Sequence, residues 1–442
     1  MATLRLLHTA DWHLGKKLER FSRLAEQEWV LERLVEIAER EAVQAVLIAG
    51  DIYDSPNPSP EAEALFAQIT VRLAKGGERP VICLAGNHDS AERLDALRPW
   101  GAPLGILMVG SLTPDSYPTR LGRAELEWFF PSSAASPNCS PNQNGTQLEG
   151  YSAPLVGAVE IRHPSWPFPL RLILSPYVSP YRLPPVEAPF ESWLRACWIE
   201  ALNAFPKSAA PVILITHTYV GGDEAPDIQE DPEEKSLKIG GLPGLSLSVF
   251  PEGIEYVALG HIHRAKIFGH RMHVAYPGSI LQYSFDDTFD DTQQGKGVIR
   301  VNIEKVEGGP KPYKVSLFAV SLFRAAEARP VLVQQRATTY EEAQSLVQTY
   351  KDHYLKLIWE GMQALSPEEI HELKERHEKL FLDFRPLVRM TGVAEQPATE
   401  RPTLTSLEEV FWAYYKELNG REPYDRLMEL FREVLERARR LS

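Results

Sequence analysis

Cysteine is scarce in this chain of 442 residues, which contains only Cys83, Cys139 and Cys197. An odd number at no metal-like spacing argues against a disulfide framework and against a thiolate zinc site. Apolar runs are short as well, and none approaches the roughly 18 residues that a membrane span requires. The N-terminus lacks the charged region, apolar stretch and cleavage site of a secretory signal. We therefore expect a cytoplasmic protein that does not bind membranes.

Basic residues are in deficit, with 47 Lys and Arg against 60 Asp and Glu and a formal net charge of −13. Binding to nucleic acid is driven by basic side chains that displace counterions, so the sum alone is unusual for a DNA-binding protein. The distribution is uneven, since acidic residues concentrate at 223–234 and beyond Glu341. Four basic residues lie together near the N-terminus: Lys16, Lys17, Arg20 and Arg23. They form either a contact for nucleic acid or an ordinary solvated loop, and the sequence leaves both interpretations open.

Five short apolar runs each lead directly into a polar motif. The runs predict buried strands at Leu4–Leu7, Ala45–Ile48, Pro80–Leu84, Pro211–Ile215 and Ile254–Leu259. Apolar residues at helical spacing predict helices over Glu26–Glu41 and Glu61–Lys75. Alternation of strands and helices indicates an α/β (α+β) fold, in which ligands gather at the carboxyl ends of strands.

The length of the chain predicts more than one module. We expect a catalytic domain over 1–325, with a flexible insertion at 132–151 that is rich in Ser, Pro, Asn and Gly. A small mixed module should span 326–392, with helices near Tyr340–Gln363 and Pro367–Phe381. A polar linker at 393–405 would then lead to a helical segment at 406–442.

The last segment predicts two short amphipathic helices. Ser406 and Glu409 form a capping-box pattern, and Asn419-Gly420 separates the first apolar face from a second that begins near Pro423. The two helices could pack on each other and on the core, or they could dock on the helices of a partner. The pattern does not decide between these interpretations.

The polar motifs carry the chemistry of this chain. They contain seven candidate metal ligands, namely Asp11, His13, Asp51, Asn87, His217, His261 and His263. Each motif alone is weak, but the ordered combination after five predicted strands would rarely arise by chance. Carboxylate and amide oxygens with neutral imidazoles suit Mn²⁺, Fe²⁺ or Zn²⁺ better than Ca²⁺ or Mg²⁺. The sequence therefore predicts a site for two divalent cations.

Asp51 is the expected bridge between the two cations, because a carboxylate can give one oxygen to each ion. Two such ions can activate a shared water and neutralise charge on a phosphoryl group. His88 is then free to stabilise the transition state or to protonate the leaving oxygen. Asp89 either orients the ring of His88 or, like Asp54, forms hydrogen bonds that support the loop.

At these residues the sequence resembles the calcineurin-like metallophosphoesterase superfamily, and more closely its SbcD nuclease branch. The stretches that carry the resemblance are Leu7-His-Thr-Ala-Asp-Trp-His-Leu-Gly15, Ala49-Gly-Asp-Ile-Tyr-Asp-Ser55, Leu84-Ala-Gly-Asn-His-Asp-Ser90, Tyr256-Val-Ala-Leu-Gly-His-Ile-His263 and Tyr276-Pro-Gly-Ser279. The resemblance covers the chain to about residue 320. It implies a double β-sandwich core flanked by helices, with a small mixed capping domain at 326–392 that contacts DNA and with C-terminal helices.

The resemblance also implies an activity. The expected function is a DNA nuclease, acting as an exonuclease on double strands and as an endonuclease on single strands and hairpins. Hydrolysis would follow a two-metal hydroxide mechanism with two Mn²⁺ ions. By position, Asp11, His13, Asp51 and His263 would hold one ion, Asp51, Asn87, His217 and His261 would hold the other, and His88 would be the catalytic histidine.

The implied partners are DNA and an SMC-like ATPase subunit of the SbcC type, which serves recombination and repair. The segment 406–442 would dock on the coiled coil of the ATPase, and the chain would form a homodimer within a heterotetramer. No Gly-x-x-x-x-Gly-Lys-Ser/Thr phosphate loop occurs in the sequence, so any ATP dependence must come from another chain.

Two other functions compete with this interpretation. A phosphomonoesterase of the same superfamily typically has Arg-Gly after the second Asp of Gly-Asp-x-x-Asp and has Gly-Asn-His-Glu, whereas here Ser55-Pro56 follows Asp54 and Asp89 follows His88. A non-catalytic scaffold that tethers an ATPase to DNA would be expected to have lost ligands, and none is missing. The choice of DNA as the target depends mainly on the family resemblance.

Overall fold

The computed structural model divides the chain into two compact units, Met1–Pro386 and Leu387–Ser442. It describes residues 2–112, 117–129, 156–178, 190–221, 244–269, 273–285, 287, 295–307, 312–323, 331–384, 411, 412, 427, 428 and 431. The predicted insertion at 132–151 and the acidic stretch at 223–234 lie outside these residues. Within the described ranges, no helix combines the length and apolar character needed to cross a bilayer.

The described part of the first unit contains nineteen strands and six α-helices. The strands are β1 (Thr3–Thr9), β2 (Lys17–Leu18), β3 (Phe21–Ser22), β4 (Ala45–Ala49), β5 (Val81–Leu84), β6 (Ile106–Val109), β7 (Arg120–Leu121), β8 (Ala124–Phe129), β9 (Gly157–Arg162), β10 (Leu170–Ser175), β11 (Val212–His217), β12 (Tyr256–Gly260), β13 (Lys266–Gly269), β14 (His273–Tyr276), β15 (Gly297–Lys305), β16 (Tyr313–Ser321), β17 (Leu332–Ala337), β18 (Tyr354–Trp359) and β19 (Leu380–Phe384). The helices are α1 (Leu24–Arg40), α2 (Pro60–Ala74), α3 (Ala91–Gly101), α4 (Phe190–Ala204), α5 (Tyr340–Thr349) and α6 (Pro367–Arg376).

The first large sheet has the strand order β16-β15-β1-β4-β5-β6. Strands β1, β4, β5 and β6 are parallel, and β15 pairs antiparallel with β1. Helices α1 and α2 cover one face of this sheet, where Leu34 and Ile69 are buried with Val46. The Ser59 side chain caps the first turn of α2, which begins with Pro60.

The second large sheet has the order β13-β14-β12-β11-β10-β9-β8-β7 and packs on the first. Leu6 and Leu47 of one sheet share a core with Leu172 and Ile213 of the other. Helix α4 covers the outer face of the second sheet, where Trp198 is fully buried. Two facing sheets with helices outside confirm the predicted double β-sandwich.

A smaller layer follows at 331–384, and here the predicted helix boundaries are wrong. The helix predicted over Tyr340–Gln363 ends at Thr349, and β18 follows as the central strand of the parallel order β17-β18-β19. The helix predicted over Pro367–Phe381 ends at Arg376 and is followed by β19. Five of the six residues in β18 are buried, and periodicity cannot distinguish a short run buried on both faces from a helix.

The second unit, Leu387–Ser442, is described at five positions. Phe411, Trp412, Leu427, Met428 and Phe431 are helical, and the rings of Phe411 and Phe431 are stacked with centroids 4.1 Å apart. A stacked pair from the two predicted helices is consistent with their packing on each other. The rest of the predicted docking segment lies outside the described residues.

Candidate metal centre

Five strand ends converge where the two large sheets meet. Strands β1, β4 and β5 of the first sheet lead into Asp11, Asp51 and Asn87, while β11 and β12 of the second lead into His217 and His261. The loops after β1 and β4 are joined by backbone hydrogen bonds, from Asp11 N to Gly50 O at 3.1 Å and from His13 N to Asp51 O at 3.0 Å. Because parallel strands end at a common edge, side chains that are distant in sequence become neighbours.

Four of the candidate ligands have a backbone conformation that side chains rarely adopt. The φ angle is +54° at Asp11, +44° at His13, +49° at Asp51 and +112° at His261. Non-glycine residues in this region cost on the order of 1–3 kcal/mol each and persist only where the surroundings enforce them. The sharp turns after the strands aim these side chains at a common centre.

Two glycines leave room for this centre. A Cβ atom at Gly86 would lie 2.1 Å from Asp51 Oδ1, and one at Gly260 would lie 1.8 Å from the carbonyl oxygen of Ala49. Neither contact can be relieved by rotating a flexible side chain, because Asp51 is held in the site and the second contact is with backbone.

The first group of donor atoms comes from Asp11, His13 and His263. One side-chain donor atom from each lies within 4.8 Å of the others. His13 Nε2 and His263 Nε2 are only 3.0 Å apart, and both side chains are buried. A divalent cation bound here would have two nitrogens and at least one carboxylate oxygen as ligands.

The second group comes from Asp51, His217 and His261, with Asn87 beside them. His217 Nε2 lies 3.2 Å from Asp51 Oδ2 and 2.9 Å from Asn87 Oδ1. His261 Nδ1 lies 3.1 Å from the same Asn87 oxygen. Asp51 Oδ2 also lies 3.6 Å from His13 Nε2, so Asp51 lies between the two groups as a bridging carboxylate must.

Polar atoms of this centre need a cation. Asp11 Oδ2 is buried without a hydrogen-bond donor, and Asp51 Oδ2 lacks one unless His217 is protonated, which is costly for a carboxylate oxygen. His217 Nδ1 lies 2.8 Å from Ala49 O and must donate to it, so the lone pair of Nε2 faces oxygens of Asp51 and Asn87 unless a proton or a metal ion intervenes. The donor set of oxygens and neutral imidazoles therefore fits borderline divalent metals.

Protonation equilibria point the same way. Burial disfavours a charged His217, but the adjacent Asp51 carboxylate outweighs burial and raises the pKa of His217 to about 9. Burial also raises the pKa of Asp11 to about 6. In the absence of metal, a proton on His217 therefore provides the positive charge that a bound cation would supply.

His88 adjoins both groups. Its backbone N–H donates to Asp51 Oδ1 at 2.9 Å, and its ring meets that of His13 edge to face with centroids 4.8 Å apart. His88 Nδ1 lies 2.9 Å from the backbone oxygen of Asp54 and donates to it, which leaves Nε2 as the atom that can exchange a proton. The ring is oriented by a main-chain carbonyl rather than by the carboxylate of Asp89.

Asp89 and Asp54 support the loops around the site. The Asp89 carboxylate accepts hydrogen bonds from the backbone N–H groups of Ile52, Tyr53 and Gly86. Asp54 Oδ1 lies 3.0 Å from Lys16 Nζ and 3.5 Å from His13 Nδ1. Burial opposes this ionised carboxylate, but His13 and Lys16 outweigh burial and lower the pKa of Asp54 to about 2.

Sequence reasoning missed three residues that support the centre: Gln27, Tyr283 and Lys296. Gln27 Nε2, on the buried face of α1, donates to His13 O at 2.7 Å and to Tyr283 OH at 3.0 Å. Lys296 Nζ donates to His263 O at 2.9 Å. The only signal for Gln27 was a polar residue on an apolar helix face, and the other two lie outside the motifs.

The four basic residues near the N-terminus differ in their exposure to solvent. Arg23 is buried and donates to Gln282 O at 2.9 Å, and Lys16 is held by Asp54. Lys17 and Arg20 are exposed, and Arg20 donates to the backbone oxygen of Glu378 at 3.2 Å. At most half of the cluster is therefore available to a nucleic acid.

Comparison with known proteins connects this centre to a family. Residues 4–138 match the calcineurin-like phosphoesterase family. The SbcD subunit of the nuclease SbcCD from Bacillus subtilis (strain 168) is 30% identical over 441 residues, which cover 98% of this chain and 97% of that protein. The SbcD protein of Escherichia coli (strain K12) is 31% identical over 64% of this chain and 62% of its own length. The SbcD protein of Rhodobacter capsulatus is 30% identical over 59% of this chain and 58% of its own length.

Proposed function

The chain belongs to the SbcD family of nuclease subunits, within the calcineurin-like phosphoesterases, and on that premise we propose that the centre cuts DNA with two bound Mn²⁺ ions. It is a hydrolase that acts on phosphodiester bonds in DNA. The proposed action is exonucleolytic on double strands and endonucleolytic on single strands and hairpins.

The observation that carries the two-ion proposal is the position of Asp51 between two groups of donor atoms. Asp11, His13 and His263 lie on one side, and Asn87, His217 and His261 lie on the other. We assign these seven residues as the metal ligands, with Asp51 shared. Bound divalent ions supply Lewis acidity and neutralise the charge of the phosphoryl group.

His88 is the proposed catalytic histidine. Its Nδ1 is occupied by the carbonyl of Asp54, so proton exchange with the leaving oxygen takes place at Nε2. The backbone N–H of His88 on Asp51 Oδ1 ties the position of the ring to that of the bridging carboxylate. Proton transfer and ligand geometry are thereby set by one loop.

The proposed partners follow from the names of the relatives. Those relatives are named as subunits of the nuclease SbcCD, and we propose that this chain binds an SMC-like ATPase of the SbcC type through the helices at 406–442. The proposed assembly is a heterotetramer built on a homodimer of this chain. The layer at 331–384 would be the capping domain that contacts DNA. We propose that the chain acts in the cytoplasm, in DNA recombination and repair.

A substrate comparison tests the proposal. With Mn²⁺ we expect the wild-type chain to cut linear and hairpin DNA and to leave a phosphomonoester such as p-nitrophenyl phosphate intact. Asp51→Ala, which removes the shared ligand, should abolish cleavage and reduce Mn²⁺ binding. Preferential hydrolysis of the monoester would favour a phosphomonoesterase, and DNA binding without any hydrolysis would favour a scaffold.

A further inference from the structure

A buried ammonium group lies directly behind one side of the metal centre. Lys296 immediately precedes β15, and its Nζ lies 2.9 Å from the carbonyl oxygen of His263, 3.1 Å from Ser279 Oγ and 2.5 Å from Asp287 Oδ2. Lys296 is 9% exposed and Asp287 is 4% exposed. Three acceptors match the three N–H donors of the ammonium group.

Fold stability alone does not require this arrangement. Burying two charges costs several kcal/mol per ion, and replacing a buried ion pair by apolar residues of similar volume is often neutral or stabilising. An isolated buried charge is a different matter, because loss of one partner leaves the other uncompensated. The pair Lys296 and Asp287 therefore points to a task that an apolar pair would not perform.

That task concerns the peptide group of His263. Its carbonyl oxygen accepts a hydrogen bond from the Lys296 ammonium at 2.9 Å and another from the backbone N–H of Ser279 at 3.1 Å. The loop that contains it follows His261, whose φ angle is +112°. Two donors on one carbonyl, one of them charged, fix the orientation of the peptide and with it the direction of the imidazole.

The other side of the centre is supported by different groups. His217 is held by the carbonyl of Ala49, and the rings of His217 and His261 both lie against the side-chain oxygen of Asn87. The contacts described for Lys296 reach His263, Ser279 and Asp287. Its support is therefore directed to the side that contains His13 and His263.

We propose that Lys296, paired with Asp287, is a positioning residue that sets the affinity of the metal subsite formed by Asp11, His13 and His263. The proposal rests on the two-ion function given above. Groups that orient metal ligands typically change metal affinity by about 10–100-fold when they are removed. Loss of Lys296 should weaken the binding of one ion by about that factor. The ion held by Asn87, His217 and His261 should remain bound.

Three variants of the full-length chain test the proposal. Lys296→Met removes the ammonium and leaves Asp287 buried and uncompensated, so thermal stability in EDTA should fall. The double variant Lys296→Met/Asp287→Leu removes both charges and should regain stability. Lys305→Met, at the exposed far end of β15, is the matched control.

The readouts are Mn²⁺ titration calorimetry and electron paramagnetic resonance of the bound Mn²⁺. Wild type and Lys305→Met should bind two ions and give the spectrum of a coupled pair. Both Lys296 variants should bind one ion with wild-type affinity and the second about 10-fold more weakly or worse, with the spectrum of an isolated ion. The decisive case is the double variant, which should be stable and still impaired.

Two results would overturn the inference. If the double variant recovers both stability and paired binding, Lys296 has a purely structural role. If the affinities for both ions fall equally in the stable double variant, the effect of Lys296 is not confined to one subsite. Failure of the proposed function looks different, because the wild-type chain itself would then bind no ion pair and cut no DNA.

Discussion

Burial alone does not decide the chemistry of a histidine in this protein. His8 and His217 are both buried, in strands that belong to the two facing sheets. His8 Nδ1 meets a neutral partner, Tyr256 OH at 2.7 Å, and burial lowers the pKa of His8 to about 3. His217 meets Asp51, and its pKa rises to about 9. Between these two buried imidazoles, the adjacent carboxylate of Asp51 makes the difference between a lowered and a raised pKa.

The pKa of His8 predicts an acid-sensitive contribution to stability. Because the folded pKa lies below the unfolded value of 6.5, the unfolded chain binds a proton between about pH 6.5 and pH 3 and the folded chain does not. Stability is therefore lost as pH falls through that window, by about 2 kcal/mol at pH 5. In His8→Gln, the difference in unfolding free energy between pH 7 and pH 5 should shrink by that amount.

Urea denaturation in EDTA measures this difference. His371→Gln changes an exposed histidine on α6 and should retain the pH dependence of the wild type. An equal pH dependence in His8→Gln and wild type would mean that His8 already ionises in the folded chain.

His88 offers the sharpest test of the reaction itself. His88→Ala removes Nε2 and none of the seven proposed ligands, so DNA cleavage should disappear while Mn²⁺ binding stays largely intact. Gel assays of hairpin and linear DNA measure the first, and titration calorimetry measures the second. His371→Ala should behave as wild type in both. Cleavage by His88→Ala at the wild-type rate would exclude the proposed role.

Among the elements, the hairpin β2–β3 and the start of α1 connect the sandwich to the layer at 331–384. The guanidinium of Arg23 lies over the ring of Tyr354 at 5.0 Å, and the Tyr354 hydroxyl donates to Glu26 at 2.9 Å. Phe21 contacts both Tyr354 and Phe381, with centroids 5.8 and 5.9 Å away. The loop that follows the candidate ligands Asp11 and His13 therefore also forms the junction.

This junction predicts a large effect on stability for Arg23 and a small effect for Arg40, a basic residue at the opposite end of α1. Arg23→Met should lower stability by about 3–5 kcal/mol, because it breaks a buried ion pair with Glu26. It should leave the salt dependence of DNA binding unchanged, because a buried guanidinium cannot contact phosphate. Arg40→Met, at the exposed end of α1, should change stability by about 0.5 kcal/mol at most.

Chemical denaturation and DNA binding at several KCl concentrations in EDTA supply these measurements. A salt slope reduced by about one in Arg23→Met, with stability unchanged, would instead make Arg23 a phosphate contact.

The candidate ligands at strand ends could be predicted from the sequence more reliably than the residues that hydrogen-bond to the ligand loops. Asp51, Asn87 and His261 each follow a glycine at the end of an apolar run, which is a local pattern. Lys296 and Gln27 reach the centre through the chain fold, at 33 and 14 residues from the groups they contact, and no local pattern marks them. For the same reason the residues of β18 are wrongly predicted as helix. The pairing of β18 with β17 and β19 depends on residues that lie outside its own apolar run.

For the whole molecule, the net negative charge of the chain is unfavourable for binding DNA, which is also negatively charged. A net charge of −13 repels DNA, and the cluster near the N-terminus leaves only Lys17 and Arg20 exposed. Affinity for a polyanion must then come from bound cations, from local basic groups or from a partner protein. The chain therefore depends on at least one of these sources to hold DNA.

For the whole assembly, the prediction concerns the segment 406–442, which we propose to bind the ATPase. Removal of 406–442 should abolish co-purification with the ATPase and leave Mn²⁺-dependent nuclease activity at the level of the wild type. Phe411→Ala/Phe431→Ala removes the stacked ring pair and should weaken the same association without shortening the chain. A truncated chain that still co-purifies would show that these helices have another role.

The strained backbone of the centre has a consequence for laboratory evolution. Asp11, His13, Asp51 and His261 occupy φ angles that glycine adopts more readily. A library selected only for heat resistance should therefore accumulate glycine at these positions, whereas a library selected for DNA cleavage should retain the side chains. The positions at which the two populations diverge would map where selection for chemistry has opposed selection for stability.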